Sequence, residues 1–202
     1  MKVRTDAKRD EILEVARAVF LELGYERASM AEIAARVGGS KATLYGYFSC
    51  KEALFVAITQ QLAERYVVPA LARLEESTDE DVRSALQRFG EQFLAFAAGP
   101  EAIATNRVIL SEAARSDSGR VFFDSGPKRA NEALARYLSG VMNRGQLRKA
   151  DASVAASHFF ALLIHGETWE NYFVRESPVL TRPRNKRIVE RALDTFLNGY
   201  RT

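Results

Sequence analysis

Apolar residues recur at three- and four-residue spacing along nearly the whole chain, and no stretch alternates apolar and polar positions as a half-buried strand would. The first stripe, Ile12, Leu13, Ala16, Val19, Phe20 and Leu23, predicts a helix from Asp6 to Leu23 that Gly24 closes. Ser29, followed three residues later by Glu32, reads as a capping box opening a second helix whose buried face is Ile33, Ala34 and Val37. Gly38-Gly39 stops that helix. Ser40 caps a short third one, Lys41 to Tyr47, and Ser49 with Glu52 forms the box that opens a fourth. Leu54, Phe55, Ile58, Leu62 and Tyr66 carry the fourth stripe onward. Pro69 inside it predicts a kink or a restart, because proline removes one helical donor.

The remainder continues in the same period. A loop at Ser77-Thr78-Asp79 precedes a fifth helix bearing Val82, Leu86, Phe89, Phe93 and Phe96, which Gly99-Pro100 breaks. A sixth covers about Glu101 to Ala114. A seventh starts near Asp117, is interrupted at Gly126-Pro127 and resumes with Ala130, Leu134, Tyr137, Leu138 and Val141. Asp151 caps an eighth that reaches about Val174. A loop with Pro178 and Pro183 leads to a last helix carrying Ile188, Val189, Ala192, Leu193, Phe196 and Leu197. The pattern predicts an all-α chain of about nine helices: a three-helix module over residues 1–52 and a helical body over 53–202.

Composition narrows the function classes. Of 202 residues 47% are hydrophobic, enough to build a core. No apolar run approaches the roughly 18 residues of a membrane span, so no membrane partner is expected. Met1-Lys2-Val3-Arg4 leads straight into an amphipathic pattern without a signal-peptide core. A single cysteine, Cys50, fits a reducing cytoplasm and leaves no internal disulfide or cysteine zinc finger. The net charge is only +3, so its placement matters more than its size. Arg36, Lys41 and Lys51 lie in a segment that contains no acid, yet residues 1–52 hold nine basic and eight acidic side chains. The acids must therefore occupy other faces if this module touches a polyanion. A second basic cluster, Arg182 to Arg191, reads as a solvated helix start.

Residues 29–52, SMAEIAARVGGSKATLYGYFSCKE, describe two short capped helices around a glycine turn, the layout of a helix-turn-helix. The third predicted helix presents the small polar side chains Ser40, Lys41 and Thr43 opposite Leu44 and Phe48, which lets a backbone approach base edges. Tyr45 and Tyr47 can reach phosphates through their hydroxyls. Ser29 and Lys51 stand at helix starts, where free N–H groups favour anions. The string from about Ile12 to Ile58 resembles the TetR/AcrR family of bacterial regulators, with the aromatic positions in phase. That resemblance implies a third helix lying in the major groove. Lys41, Ala42 and Thr43 would then face bases, and Ser29, Tyr45, Tyr47 and Lys51 would contact phosphates. Gly39 and Gly46 depart from the residues common there, which leaves the operator sequence open. The stretch RVILSEAARSDSGRVFFDSGPKRANEAL is similar to the AefR-like subclass. The implied partners are double-stranded operator DNA, a small ligand and a second copy of the chain.

For the ligand, the aromatic-rich set Phe89, Phe93, Phe96, Val108, Phe122, Phe123, Trp169 and Tyr172 suggests an apolar pocket taking a hydrophobic or aromatic molecule, with Asn106 and Glu112 as polar handles. For the homodimer, the last two long helices suggest an interface of His158, Leu162, Ile188, Ala192, Leu193 and Phe196. His158 and His165 lie seven apart with no third ligand or HxxxH spacing, so no metal is expected. No phosphate loop, nucleophile elbow or dinucleotide fingerprint is present, so neither catalysis nor a cofactor is expected. The sequence reads as a ligand-responsive repressor. An activator of the same family, or a small helical enzyme or binding protein, are the alternatives.

Overall fold

The computed structural model describes residues 5–77, 80–113, 117–174 and 180–202. The expected loop residues Thr78 and Asp79, Ala114, the side chain of Glu112, and Pro178 lie outside the described residues. Among those described there are ten α-helices and no strand. They are α1 (Asp6–Leu23), α2 (Met30–Arg36), α3 (Lys41–Tyr47), α4 (Lys51–Glu76), α5 (Val82–Ala97), α6 (Pro100–Glu112), α7 (Ser118–Ser125), α8 (Pro127–Asn143), α9 (Ala152–His165) and α10 (Arg182–Tyr200). A single 3₁₀ turn, Trp169–Tyr172, follows α9. No described helix is long and apolar enough to cross a membrane.

The first three helices begin where their caps place them. Thr5, Ser29 and Ser40 each accept a hydrogen bond from the backbone N–H three residues on. Gly24 and Gly38 carry φ of 77° and 70°, a left-handed conformation that only glycine takes cheaply. The start of α4 differs from the expected Ser49 box. Cys50 is the cap, its Sγ accepting from Ala53 N at 3.4 Å while its carbonyl accepts from Leu54 N. Helix α4 also runs unbroken through Pro69, with Val67, Ala70, Leu71 and Leu74 buried around the proline. Packing there outweighs the one missing donor.

The count rises from nine to ten because Gly126 and Pro127 separate α7 from α8, proline sitting at the first position of the new helix. The expected long eighth helix stops at His165. Gly166 ends it, and only a 3₁₀ turn continues toward Val174. Pro183 lies inside the first turn of α10 rather than in the preceding loop.

The chain forms two compact units, Met1–Leu62 with Val108–Phe122, and Ala63–Arg107 with Phe123–Thr202. In the first, α1 packs on α2 and α2 on α3. Ile12, Leu13, Ile33, Leu44 and Leu54 form its floor, and Ile109 from α6 joins the same core. Phe20, Tyr25 and Phe55 make an aromatic trio with centroids 5.0 to 5.6 Å apart. In the second unit α8 packs on α9, and α10 on α5 and α9. Phe159 meets Phe196 edge to face at 5.2 Å and lies against Phe89 at 6.3 Å.

Candidate nucleic-acid interface

Helix α3 is held from beneath and presented above. Leu44 and Phe48 are buried, and Ser40, Lys41, Ala42 and Tyr45 are exposed. The Ser40 hydroxyl accepts from Thr43 N at 3.1 Å and lies 3.0 Å from Thr43 Oγ1, which is half-buried. The short polar side chains at the helix start are thereby tied to one another, and the backbone of the first turn lies close to the surface. Ser29 is exposed at the start of α2 and spends its hydroxyl on Glu32 N. Tyr47 is half-buried, and its hydroxyl accepts from Thr5 N at 3.0 Å. Lys8 reaches the carbonyl of Val37, and Arg9 lies over the Phe48 ring, so the first turns of α1 brace both ends of the α2–α3 pair.

The charges resolve differently from a simple basic stretch. Arg36 is not free. Its guanidinium binds Glu22 at 2.5 Å and Glu32 at 2.7 Å. Hydrogen bonding to Arg36 holds the Glu22 carboxyl below the usual carboxylate range, and the same bonds raise the guanidinium further above its ordinary value. Lys51 donates to Tyr25 O at 2.8 Å and stands 4.0 Å above that ring, so it fastens the loop before α2 to the start of α4. Of these two, Lys51 was expected to contact phosphate, and Arg36 was counted only among the cations of an acid-free segment. Among the described residues, Lys41 is the cation of this segment that makes no ion pair, hydrogen bond or ring contact. Most acids of the module are likewise engaged: Glu11 with Lys8, Glu14 with Arg17, Glu22 and Glu32 with Arg36, Asp10 with Gln61, and Glu52 with the Tyr25 hydroxyl. Helix α3 itself, Lys41–Tyr47, contains no carboxylate.

The eight residues expected to line one pocket are divided between the two units. Val108 and Phe122 pack on the core of the first unit, and the other six belong to the second. Of those, Phe123 and Trp169 are exposed. Phe89 stacks on Phe93 at 5.9 Å, and Phe93 meets Phe160 tilted by 58° with centroids 4.8 Å apart, so these rings pack against one another. Phe96 stacks on Tyr66, and the Tyr172 hydroxyl accepts from Asn106. Phe160, which meets Phe93, was not among the pocket residues expected from sequence.

The expected dimer stripe also needs correction. Ile188, Ala192, Leu193 and Phe196 are 5% exposed or less and form the core of their own unit, so they present nothing to a partner. Leu162 is half-buried. His158 is exposed, and its Nδ1 lies 2.8 Å from the Tyr200 hydroxyl. What stands open is the outer face of α9: Val154, His158, Ala161 and His165, in helical phase, leading to exposed Trp169 and Phe173. The sequence held that signal, because ASVAASHFFALLIH is apolar on all sides and its inner face needs only half of it.

Known proteins match along the full length. The family described as bacterial regulatory proteins, tetR family, matches residues 12–58, and the AefR-like transcriptional repressor C-terminal domain matches residues 84–202. A TetR-family transcriptional regulator structure from Mesorhizobium loti superposes with a TM-score of 0.88 at 27% identity, covering 100% of both chains. The flavonoid-responsive regulator FrrA gives 0.71 at 29% identity over 98% of each chain. The transcriptional activator FasR of Mycolicibacterium smegmatis is 37% identical over 42% of this chain and 39% of its own length. The repressor AcnR of Corynebacterium diphtheriae is 43% identical over 29% of this chain and 30% of its own. The chain thus spans well under half the length of these two relatives. The helix-turn-helix geometry, the family match over residues 84–202 and the end-to-end structural likeness agree: the chain belongs to the TetR family of bacterial regulatory proteins, with a C-terminal domain of the AefR-like kind.

Proposed function

We propose that the chain is a cytoplasmic transcription regulator that reads double-stranded operator DNA with α3, as a homodimer on a near-palindromic site. The observation that carries this is the α3 face itself, where Ser40, Lys41, Ala42 and Thr43 are presented beside an unpaired ammonium with no carboxylate among them. In this reading Lys41, Ala42 and Thr43 face bases. Ser29, Ser40, Tyr45 and Tyr47 hold the backbone, which sets register without reading sequence. Lys51 supports the fold of the head. One short helix offers too little contact for specific binding, so two heads act together on successive major grooves about 34–36 Å apart. The second copy packs on the open α9 face, where an apolar helix surface otherwise faces water.

The regulator acts as a repressor, the sense named for the family that matches residues 84–202. A hydrophobic or aromatic small molecule releases it. The half-buried rings Phe93, Phe96 and Phe160 of the second unit would part to admit the ligand, and one related structure is described as flavonoid-responsive. Release can be no larger than the ligand's preference for the state that does not bind DNA. The test is a mobility shift of the full chain on the DNA upstream of its own gene, titrated with salt and then with a panel of aromatic compounds. Binding that weakens steeply with salt and is lost with at least one compound supports the reading. Indifference to specific DNA at low salt overturns it.

A further inference from the structure

Resting on the DNA-reading role proposed above, we infer that Thr5 is a positioning residue: its backbone N–H fixes the Tyr47 hydroxyl so that the hydroxyl proton points outward to a DNA phosphate. Two residues 42 apart in sequence meet in a surface hydrogen bond, Thr5 N donating to Tyr47 Oη at 3.0 Å. A phenol oxygen has one proton, which lies near the ring plane on one of two sides. The Thr5 N–H occupies the acceptor site on one side, so the proton takes the other. Donation into the oxygen also polarises the O–H and makes it a stronger donor than a free phenol.

The amide that does this is free to do so. Thr5 is the N-cap of α1, so its N–H lies outside the helical ladder, and its hydroxyl oxygen is spent on Lys8 N. The same turn is anchored to the reading helices by Lys8 on the Val37 carbonyl and by Arg9 over Phe48. The start of α1 therefore sets the rotamer of a side chain at the end of α3. It orders the phosphate donor before DNA arrives, which removes an entropic cost from binding.

The test is a double-mutant cycle on the full chain, with a duplex that the parent protein selects from a randomised pool. Tyr47→Phe is expected to weaken binding about 3- to 10-fold on every selected sequence. The salt slope should be unchanged, because a neutral donor releases no counterion. Thr5→Pro, which removes the N–H, should weaken binding comparably in the parent and add nothing in the Tyr47→Phe background. Thr5→Gly, which loses the cap but keeps the N–H, should stay within about 2-fold of the parent. Amide hydrogen exchange reads the bond without altering Thr5: the Thr5 amide must exchange faster in Tyr47→Phe. Multiplicative effects of Thr5→Pro and Tyr47→Phe, parent-like binding by Tyr47→Phe, or unchanged Thr5 exchange would each overturn the inference while leaving DNA reading intact. A parent that enriches no duplex overturns both.

Discussion

Gly90 of α5 lies directly beneath Val189 of α10: a Cβ built on residue 90 would stand 2.9 Å from Val189 Cγ1. Val189 is fully buried and β-branched, so its side chain has little rotamer freedom to move aside. Leu163 and Phe159 close the site at 3.4 and 3.6 Å. Glycine here sets how closely α5, α9 and α10 approach. Gly90→Val should destabilise the protein by about 2–3 kcal/mol through overpacking. Gly90→Ala should cost less, because alanine regains up to about 1 kcal/mol of helix propensity. Denaturant unfolding of the two variants orders them, and a Gly90→Val protein as stable as the parent would refute the close crossing.

The Tyr137 hydroxyl is buried on α8 with no hydrogen-bond partner among the described residues. Burial pushes its ionisation up to about 12. The unfolded chain loses this proton near 10, so stability linked to Tyr137 is complete below about pH 10 and falls as pH rises toward 12. Tyr137→Phe removes an unsatisfied polar atom. It should be at least as stable as the parent at pH 7, by up to about 1 kcal/mol. It should also lose less stability between pH 10 and 12. A strongly destabilised phenylalanine variant would mean that the hydroxyl has a partner in solution.

Lys41 and Lys51 should separate cleanly. Lys41→Ala should relax specificity at one base position and lower the salt slope by up to about 1, since a base-facing cation is lost. Lys51→Ala should leave that slope unchanged and lower the melting temperature instead, the Tyr25 carbonyl and ring having lost their cation. Thermal shift and salt-titrated binding on the same two variants decide the matter. A Lys41→Ala protein that keeps the parent's sequence preference would mean that Lys41 does not face bases.

The two faces of the C-terminal helices should also behave differently. Ala161→Arg on the open α9 face should give folded monomers that no longer bind the operator. Leu193→Arg should fail to fold, since it buries a charge in the unit's own core. Sedimentation and circular dichroism distinguish the outcomes. A dimeric Ala161→Arg protein would move the interface elsewhere.

The first three helices were legible to the residue because their signals are local: Ser29 and Ser40 cap whatever surrounds them, and Gly38 permits its turn in isolation. Cys50 was missed as a cap because thiols rarely serve in that role, and Ser49 stood one position away. Pro69 misled because its local penalty is real but smaller than the burial on either side. The stripe Ile188–Phe196 was sound as a buried face, yet periodicity cannot say whether an apolar face meets its own chain or another. The charges of Arg36 and Lys51 were visible, but their partners, Glu22 and the Tyr25 carbonyl, lie 14 and 26 positions away.

The Arg36 bond holds Glu22 ionised to lower pH than a free carboxyl, and neither histidine of the chain, 158 or 165, falls in the unit that contains α3. The reading head thus lacks an imidazole whose charge would change between about pH 6 and 8. The operator binding proposed above should then change little across that pH range. Raised salt, which opposes counterion release, should weaken the same binding directly.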